Sequence, residues 1–207
     1  PAGTLSATAT PSEPVVTENV AVPTESATAA DTGNAEQFNQ FMQSATKIVQ
    51  RDIELLTDIN RLVCSCLAFN LTHTLRTDSH VGEVLAESAF PTVLKALVDD
   101  YHSGTLPRGT TSGGEVPFAD VWKAYMKDLG KRLNLKGKAL FHPVRLCLTG
   151  RVSGPDVGDQ LQLLALSEGL LCEGTEKVCV RLDQRIAMLE SFDLQEALKE
   201  VERVKAE

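Results

Sequence analysis

The sequence predicts an all-α protein, a helical bundle behind an unstructured leader. Three observations lead there. Apolar residues recur at intervals of three and four through most of residues 34–192. Gly and Pro fall where helices would start or stop. Only residues 177–182 (KVCVRL) alternate as a strand would, and they have no second strand to pair with. With 207 residues and 43% apolar content, the chain is large enough to bury a core.

Residues 1–33 are rich in Ala, Ser, Thr, Pro and Val without periodicity. Such a segment buries too little surface to offset its ordering entropy, so it is expected to be disordered. It holds four acids (Glu13, Glu18, Glu25, Asp31) and neither Lys nor Arg, whereas an import signal is Arg-rich and poor in acids. The leader therefore reads as the start of a processed mature protein, with a plastid as the expected compartment and a mitochondrion as the alternative.

From Asn34, Phe38, Phe41, Met42, Ala45, Ile48, Val49, Ile53, Leu56, Ile59, Leu62 and Val63 describe one long helix, with or without a kink. A second helical stretch runs over residues 79–102. Pro91 interrupts it and disfavours helix at the residue before it, which predicts two short helices. Residues 103–115 (SGTLPRGTTSGGE) collect turn formers and read as a surface loop.

The next helix is amphipathic. With Phe118 at zero and 100° per residue, Val121, Trp122, Tyr125, Leu129 and Leu133 fall within about 60° of one direction. Lys123, Lys127 and Lys131 fall at about 140° to 220°, forming a lysine stripe on the opposite face. Gly130 weakens the helix near its end. A loop over residues 134–138 leads to a helix whose first turn suits Pro143 and whose natural stop is Gly150. Pro155 and Asp156 open another helix, with Val157, Leu161, Leu164 and Leu166 apolar. Residues 168–175 form a loop. Helices over 182–192 and from Asp193 onward close the chain, the last one charged and expected to fray. The expected organisation is a leader (1–33), a helical domain (34–192) and a charged C-terminal helix (193–207).

The net charge of −8 argues against a general nucleic-acid binder, but it is unevenly distributed. The leader carries half of it. Between Asp120 and Arg151, Lys123, Lys127, Lys131, Arg132, Lys136, Lys138, Arg145 and Arg151 oppose only Asp120 and Asp128, a net of +6. Cations placed in succession can meet successive phosphates. They can equally form a solvated face. Trp122 and Tyr125 could stack on bases between the lysines, but their apolar face favours the core. Arg145, among Val144, Leu146, Cys147 and Leu148, is either a paired structural side chain or a phosphate clamp.

Other chemistry finds little support. Five Cys, odd in number and irregularly spaced, do not make a disulfide framework. Cys64 and Cys66 lack the second ligand pair of a zinc site. His73, His80, His102 and His142 are scattered, and neither a GxxxxGK[ST] nor a GxGxxG loop occurs. Asp99 and Asp100 read as solvated charge on a polar face. No catalytic residue, metal or cofactor is expected. The absence of any run of eighteen apolar residues excludes a membrane-spanning helix.

The segments KGKALFHPVR and LTGRVSGPD resemble the C-terminal anticodon-binding region of glutamyl-tRNA synthetases of the bacterial and organellar type. The likeness is densest over residues 122–156. There the family's Lys-Gly-Lys, Leu-Phe, Pro, Arg, Leu-Thr-Gly and Gly-Pro elements correspond to residues 136–138, Leu140 with Phe141, Pro143, Arg145, residues 148–150, and Gly154 with Pro155. Weaker similarity extends over 53–75 and 180–192. His142, Val144, Val152 and Ser153 depart from the pattern mildly.

The resemblance implies the helix cage that meets the anticodon arm of tRNA. It also implies that the adenylate-forming chemistry belongs to a Rossmann-type domain with HIGH-like and KMSKS-like sequences, neither of which occurs in these residues. A free-standing, non-catalytic paralogue is the expectation. Two functions follow: an organellar RNA-binding module that takes glutamate tRNA or another structured RNA through Lys123, Lys127, Lys131, Lys136, Lys138, Arg145 and Arg151, or a protein-interaction subunit of a larger organellar complex that has lost RNA binding. Assistance in trans to a separate synthetase is a third, lesser reading.

Overall fold

The computed structural model describes residues 29–50, 58–109, 116–170 and 179–206. Among the described residues every regular element is a helix, as the periodicity requires. No helix among them is long and apolar enough to cross a membrane.

The first helix, α1 (Ala29–Val49), begins five residues ahead of the expected boundary at Asn34. Its opening alanines cost little to place in a helix. Residues 1–28 of the expected leader lie outside the described residues, as do residues 51–57, where the expected long helix would continue. On the far side comes α2 (Asp58–Leu67). Ala45, Ile48 and Val49 are buried, and α1 packs chiefly along α8 (Val157–Ser167). Phe38 and Met42 belong to the same apolar series but stay exposed.

The short helix α3 (Leu71–Thr77) was not singled out by periodicity, being only two turns long. The break expected around Pro91 separates α4 (Val81–Ala86) from α5 (Phe90–His102), and Pro91 lies in the first turn of α5, where a missing N–H costs no helical bond. The turn after α5 differs from a plain surface loop. The Thr105 and Leu106 amides both donate to the Asp100 carbonyl oxygen, at 2.8 and 2.9 Å, which folds the chain back and buries Leu106 in the core. Residues 110–115 of that loop lie outside the described residues.

Next come α6 (Phe118–Leu133) and α7 (Lys138–Thr149). Asn134, in the left-handed region at φ 52°, ends α6, and the Leu135 amide closes on the Gly130 carbonyl at 2.9 Å. The expectation that Pro143 opens α7 is corrected. The helix starts a turn earlier because the Gly137 carbonyl accepts from Leu140 and Phe141, leaving Pro143 inside it. The stop at Gly150 holds: its φ of 69° is left-handed, and its amide donates to the Leu146 carbonyl at 2.9 Å. Asp156 then caps α8 by accepting from the Gly158 and Asp159 amides at 2.8 and 3.2 Å.

Residues 177 and 178 of the strand-like stretch lie outside the described residues. Of the remainder, Val180 donates one backbone bond to the Leu67 carbonyl at 3.1 Å, and Leu182 already begins α9 (Leu182–Glu190). One bond makes no ladder. The charged final helix, α10 (Leu194–Ala206), is docked rather than frayed. It buries Ala197 and Val201 against α3 and α4, and Glu200 pairs with Arg76 at 2.7 Å.

The inner pair is α7 and α8. Around them, α5 and α9 flank α7, while α1, α2 and α6 flank α8. Leu146, Leu148, Leu161, Leu163 and Leu164 from the inner pair are fully buried. Each such leucine contributes about 1.5–3 kcal/mol relative to an exposed one. The close approach of α6 and α8 depends on Gly158, where an added Cβ would lie 2.5 Å from Trp122 Cδ1.

Candidate nucleic-acid interface

Two neighbouring rows of α6 build the site. Trp122, Met126 and Gly130, spaced by four, form the floor of a groove; Lys123, Lys127 and Lys131, one position on, form its rim. The loop after α6 supplies Leu135 and Lys136, and the first turns of α7 supply Leu140 and Phe141. The groove has a volume of about 600 Å³ and carries four lysines against the single carboxylate of Asp156. Gly130 lets the loop and α7 close over α6, since a Cβ there would lie 2.9 Å from the Leu135 carbonyl oxygen.

Positive charge predominates at this corner. Lys127, Lys131, Lys136 and Lys138 are exposed, and Lys123 has only a solvent-screened partner, Asp120, at 3.4 Å. Lys138 opens α7, whose first turn holds no acid and has no side-chain cap. A cation there opposes the helix dipole, at a cost of about 0.3–1 kcal/mol at low ionic strength. In return, the dipole's positive end reinforces the lysines around it.

The structure separates the eight cations between Lys123 and Arg151 into groups. Lys123, Lys127, Lys131 and Lys136 meet at the groove, with Lys138 beside them. Arg132 turns away to the buried Asp100, at 3.0 and 2.5 Å, and to Asp128 at 2.8 Å. Arg145 is engaged by main chain: its Nη1 donates to the Gly154 and Pro155 carbonyls at 3.0 and 2.6 Å, holding the turn after Gly150 against α7. Burial lowers its pKa, opposed by the nearby Asp156 carboxylate. Arg151 borders a different recess, with His73, Thr77 and Asp78.

Of the two aromatic readings, the core prevails. Trp122 and Tyr125 are both buried, with ring centroids 5.6 Å apart. Phe141 is the ring left facing solvent at the groove, 54% exposed. A further correction concerns Asp100. It is not solvated charge but a buried carboxylate that accepts from the Tyr125 hydroxyl at 2.8 Å and from Arg132. Burial and this hydrogen bond push the Tyr125 phenol well above its ordinary range. Asp99, by contrast, is exposed and paired with Lys95 at 2.5 Å.

Sequence reasoning also passed over Arg185, whose side chain is fully buried and whose guanidinium donates to the carbonyls of Val180, Leu148 and Leu67. A signal was present for both residues. Asp100 continues the apolar series Phe90, Val93, Leu97, and Arg185 sits within Leu182, Ile186, Leu189. A charge on an apolar face points to a buried partner.

Residues 117–170, which contain α6, the lysine loop, α7 and α8, match the family model described as Anticodon binding domain. The chain is also similar to glutamate–tRNA ligases. It is 47% identical over 45 residues to the glutamate–tRNA ligase 1 of Chelativorans sp., covering 22% of this chain and 10% of that protein. It is 42% identical over 68 residues to the glutamate–tRNA ligase 1 of Zymomonas mobilis subsp. mobilis, covering 33% and 13%. To the glutamate–tRNA ligase of Geobacillus stearothermophilus it is 36% identical over 116 residues, covering 56% and 19%. The chain thus spans only 10–19% of the length of these relatives. No solved structure matches it.

Proposed function

We propose that this chain is a tRNA-binding module that takes glutamate tRNA and contributes no aminoacylation chemistry of its own. One observation carries the reading: the lysine-rimmed groove lies within residues 117–170, the segment similar to an anticodon-binding domain. In this reading Lys123, Lys127, Lys131 and Lys136, which border one groove, meet successive phosphates, and Lys138 with the N-terminal end of α7 extends the positive surface. The glutamate preference rests on the relatives, whose names describe ligases joining glutamate to tRNA. An organellar setting, plastid or mitochondrial, belongs to the same proposal and rests on the composition of residues 1–33. Imaging the full-length gene product fused to a fluorescent protein tests that part.

The binding test is a salt series with tRNA. Affinity should fall steeply as salt rises, because each phosphate neutralised adds about 0.7–0.9 to the log–log slope. The double charge reversal K123E/K127E should weaken binding at least tenfold at low salt and flatten the slope by about two phosphates. Equal, undetectable binding by both proteins at low salt would sink the proposal. The protein-interaction reading would then stand, supported by the exposed Phe38 and Met42 one turn apart on α1.

A further inference from the structure

Phe141 is a large apolar side chain in the middle of a positive site. Its neighbours on α7, Leu140, Val144 and Leu146, turn inward, whereas its ring is 54% exposed. Leaving a phenyl ring in water forgoes much of the stabilisation that burial would give it. Among the described residues no second aromatic ring packs against it. The groove it borders also exposes Lys123, Lys127, Lys131 and Lys136. Apolar surface beside four cations is poorly suited to an apolar protein face, which would have to desolvate the ammonium groups. It suits a ligand that alternates anionic and flat aromatic parts.

We propose that Phe141 is a stacking platform for one unpaired nucleobase of a bound RNA, with the lysines of the groove rim holding the phosphates on either side of that nucleotide. The inference rests on the tRNA-binding reading and deepens it, specifying single-stranded rather than paired RNA at this groove. Every base has a π-face, so the platform supplies affinity for an open loop without selecting its sequence. Trp122 and Tyr125, the aromatic residues that the sequence offered for this role, are buried, which leaves Phe141 as the ring that a base can reach at this groove.

The experiment compares the full chain with F141A and F141W, using a hairpin RNA with a seven-nucleotide open loop and a fully paired duplex of equal charge. Because the ring is on the surface, F141A should melt with the wild type. F141A should bind the hairpin about 5- to 150-fold more weakly, the range expected for one lost base stack, with an unchanged salt slope. Duplex binding should not move, and F141W should restore hairpin affinity. A 2-aminopurine placed in the loop should be quenched by the wild type and not by F141A. If the wild type binds the hairpin with a clear salt dependence and F141A matches it, the stacking role is overturned while RNA binding stands. Equal loss of hairpin and duplex on F141A also overturns it. If the wild type binds neither RNA at low salt, the tRNA-binding reading fails and this inference with it.

Discussion

Arg185 donates from Nη2 to the Leu67 carbonyl oxygen at 2.7 Å, tying α9 to the last residue of α2 across 118 positions of chain. Its Nη1 reaches the Leu148 carbonyl at 2.7 Å, near the end of α7, and its Nε reaches Val180 at 2.8 Å. The C-terminal ends of two helices thus point carbonyls that lack an intrahelical donor, and their negative dipole ends, at one buried guanidinium. The Phe69 ring adds a face, 5.5 Å from the guanidinium carbon. Burial pushes the Arg185 pKa down to about 10, which still leaves it charged at neutral pH.

Replacing Arg185 by Met should therefore cost about 2 kcal/mol or more, since the Leu148 and Val180 carbonyls would each lose a donor at about 1–3 kcal/mol, whereas the Leu67 carbonyl keeps the Val180 amide. R185K should recover only part, because one ammonium cannot span acceptors on three segments. The midpoint of urea unfolding reads this directly, and an unchanged midpoint for R185M would show that the carbonyls find other donors.

The Asp100 cluster should behave as a coupled unit. Y125F removes one donor from a buried carboxylate and should cost about 1–3 kcal/mol, and R132A a similar amount, because its guanidinium is partly exposed. In a double-mutant cycle the two should couple by about 0.5–3 kcal/mol. Additive losses would mean that Asp100 is held by each partner independently.

At Gly158, alanine should strain the contact between α6 and α8. The added Cβ would sit 2.5 Å from Trp122 Cδ1 and 2.8 Å from Cγ, inside a packed core. Overpacking of this kind costs about 1–3 kcal/mol. Trp122 is the single tryptophan of the chain, so its emission maximum reports the displacement without ambiguity. Native-like emission together with wild-type stability would refute the close contact.

Thiol labelling of the native protein should divide the cysteines. Cys64 is exposed and should react within minutes, while Cys147 and Cys179, both buried, should be protected until unfolding. Burial also pushes the Cys147 thiol far up, leaving no reactive thiolate at neutral pH. Peptide mapping after a short pulse of alkylating reagent checks both statements. Prompt labelling of Cys147 would show that α7 opens readily.

Much of the helical order was legible because its causes are local. The 3.6-residue period put Trp122, Tyr125 and Leu129 inside and Lys123, Lys127 and Lys131 outside, Pro91 marked the first turn of a new helix, where its missing N–H is tolerated, and Gly150 ended one where left-handed backbone is needed. The candidate groove was half legible by the same means: its lysines could be placed on a face of α6, but the loop and α7 that complete it could not be positioned against that face.

What the sequence by itself determined is therefore an all-helical chain with a lysine face and a segment similar to an anticodon-binding domain. Only the tertiary structure decided which charges remain available. It takes Arg132 into Asp100 and Arg145 into the carbonyls of Gly154 and Pro155, buries Arg185 among helix ends, and leaves Phe141 in the open beside four lysines. The physical reason is that periodicity fixes the face on which a side chain lies, whereas the partner it meets there comes from another helix. For Arg185 and Leu67, that partner is 118 residues away.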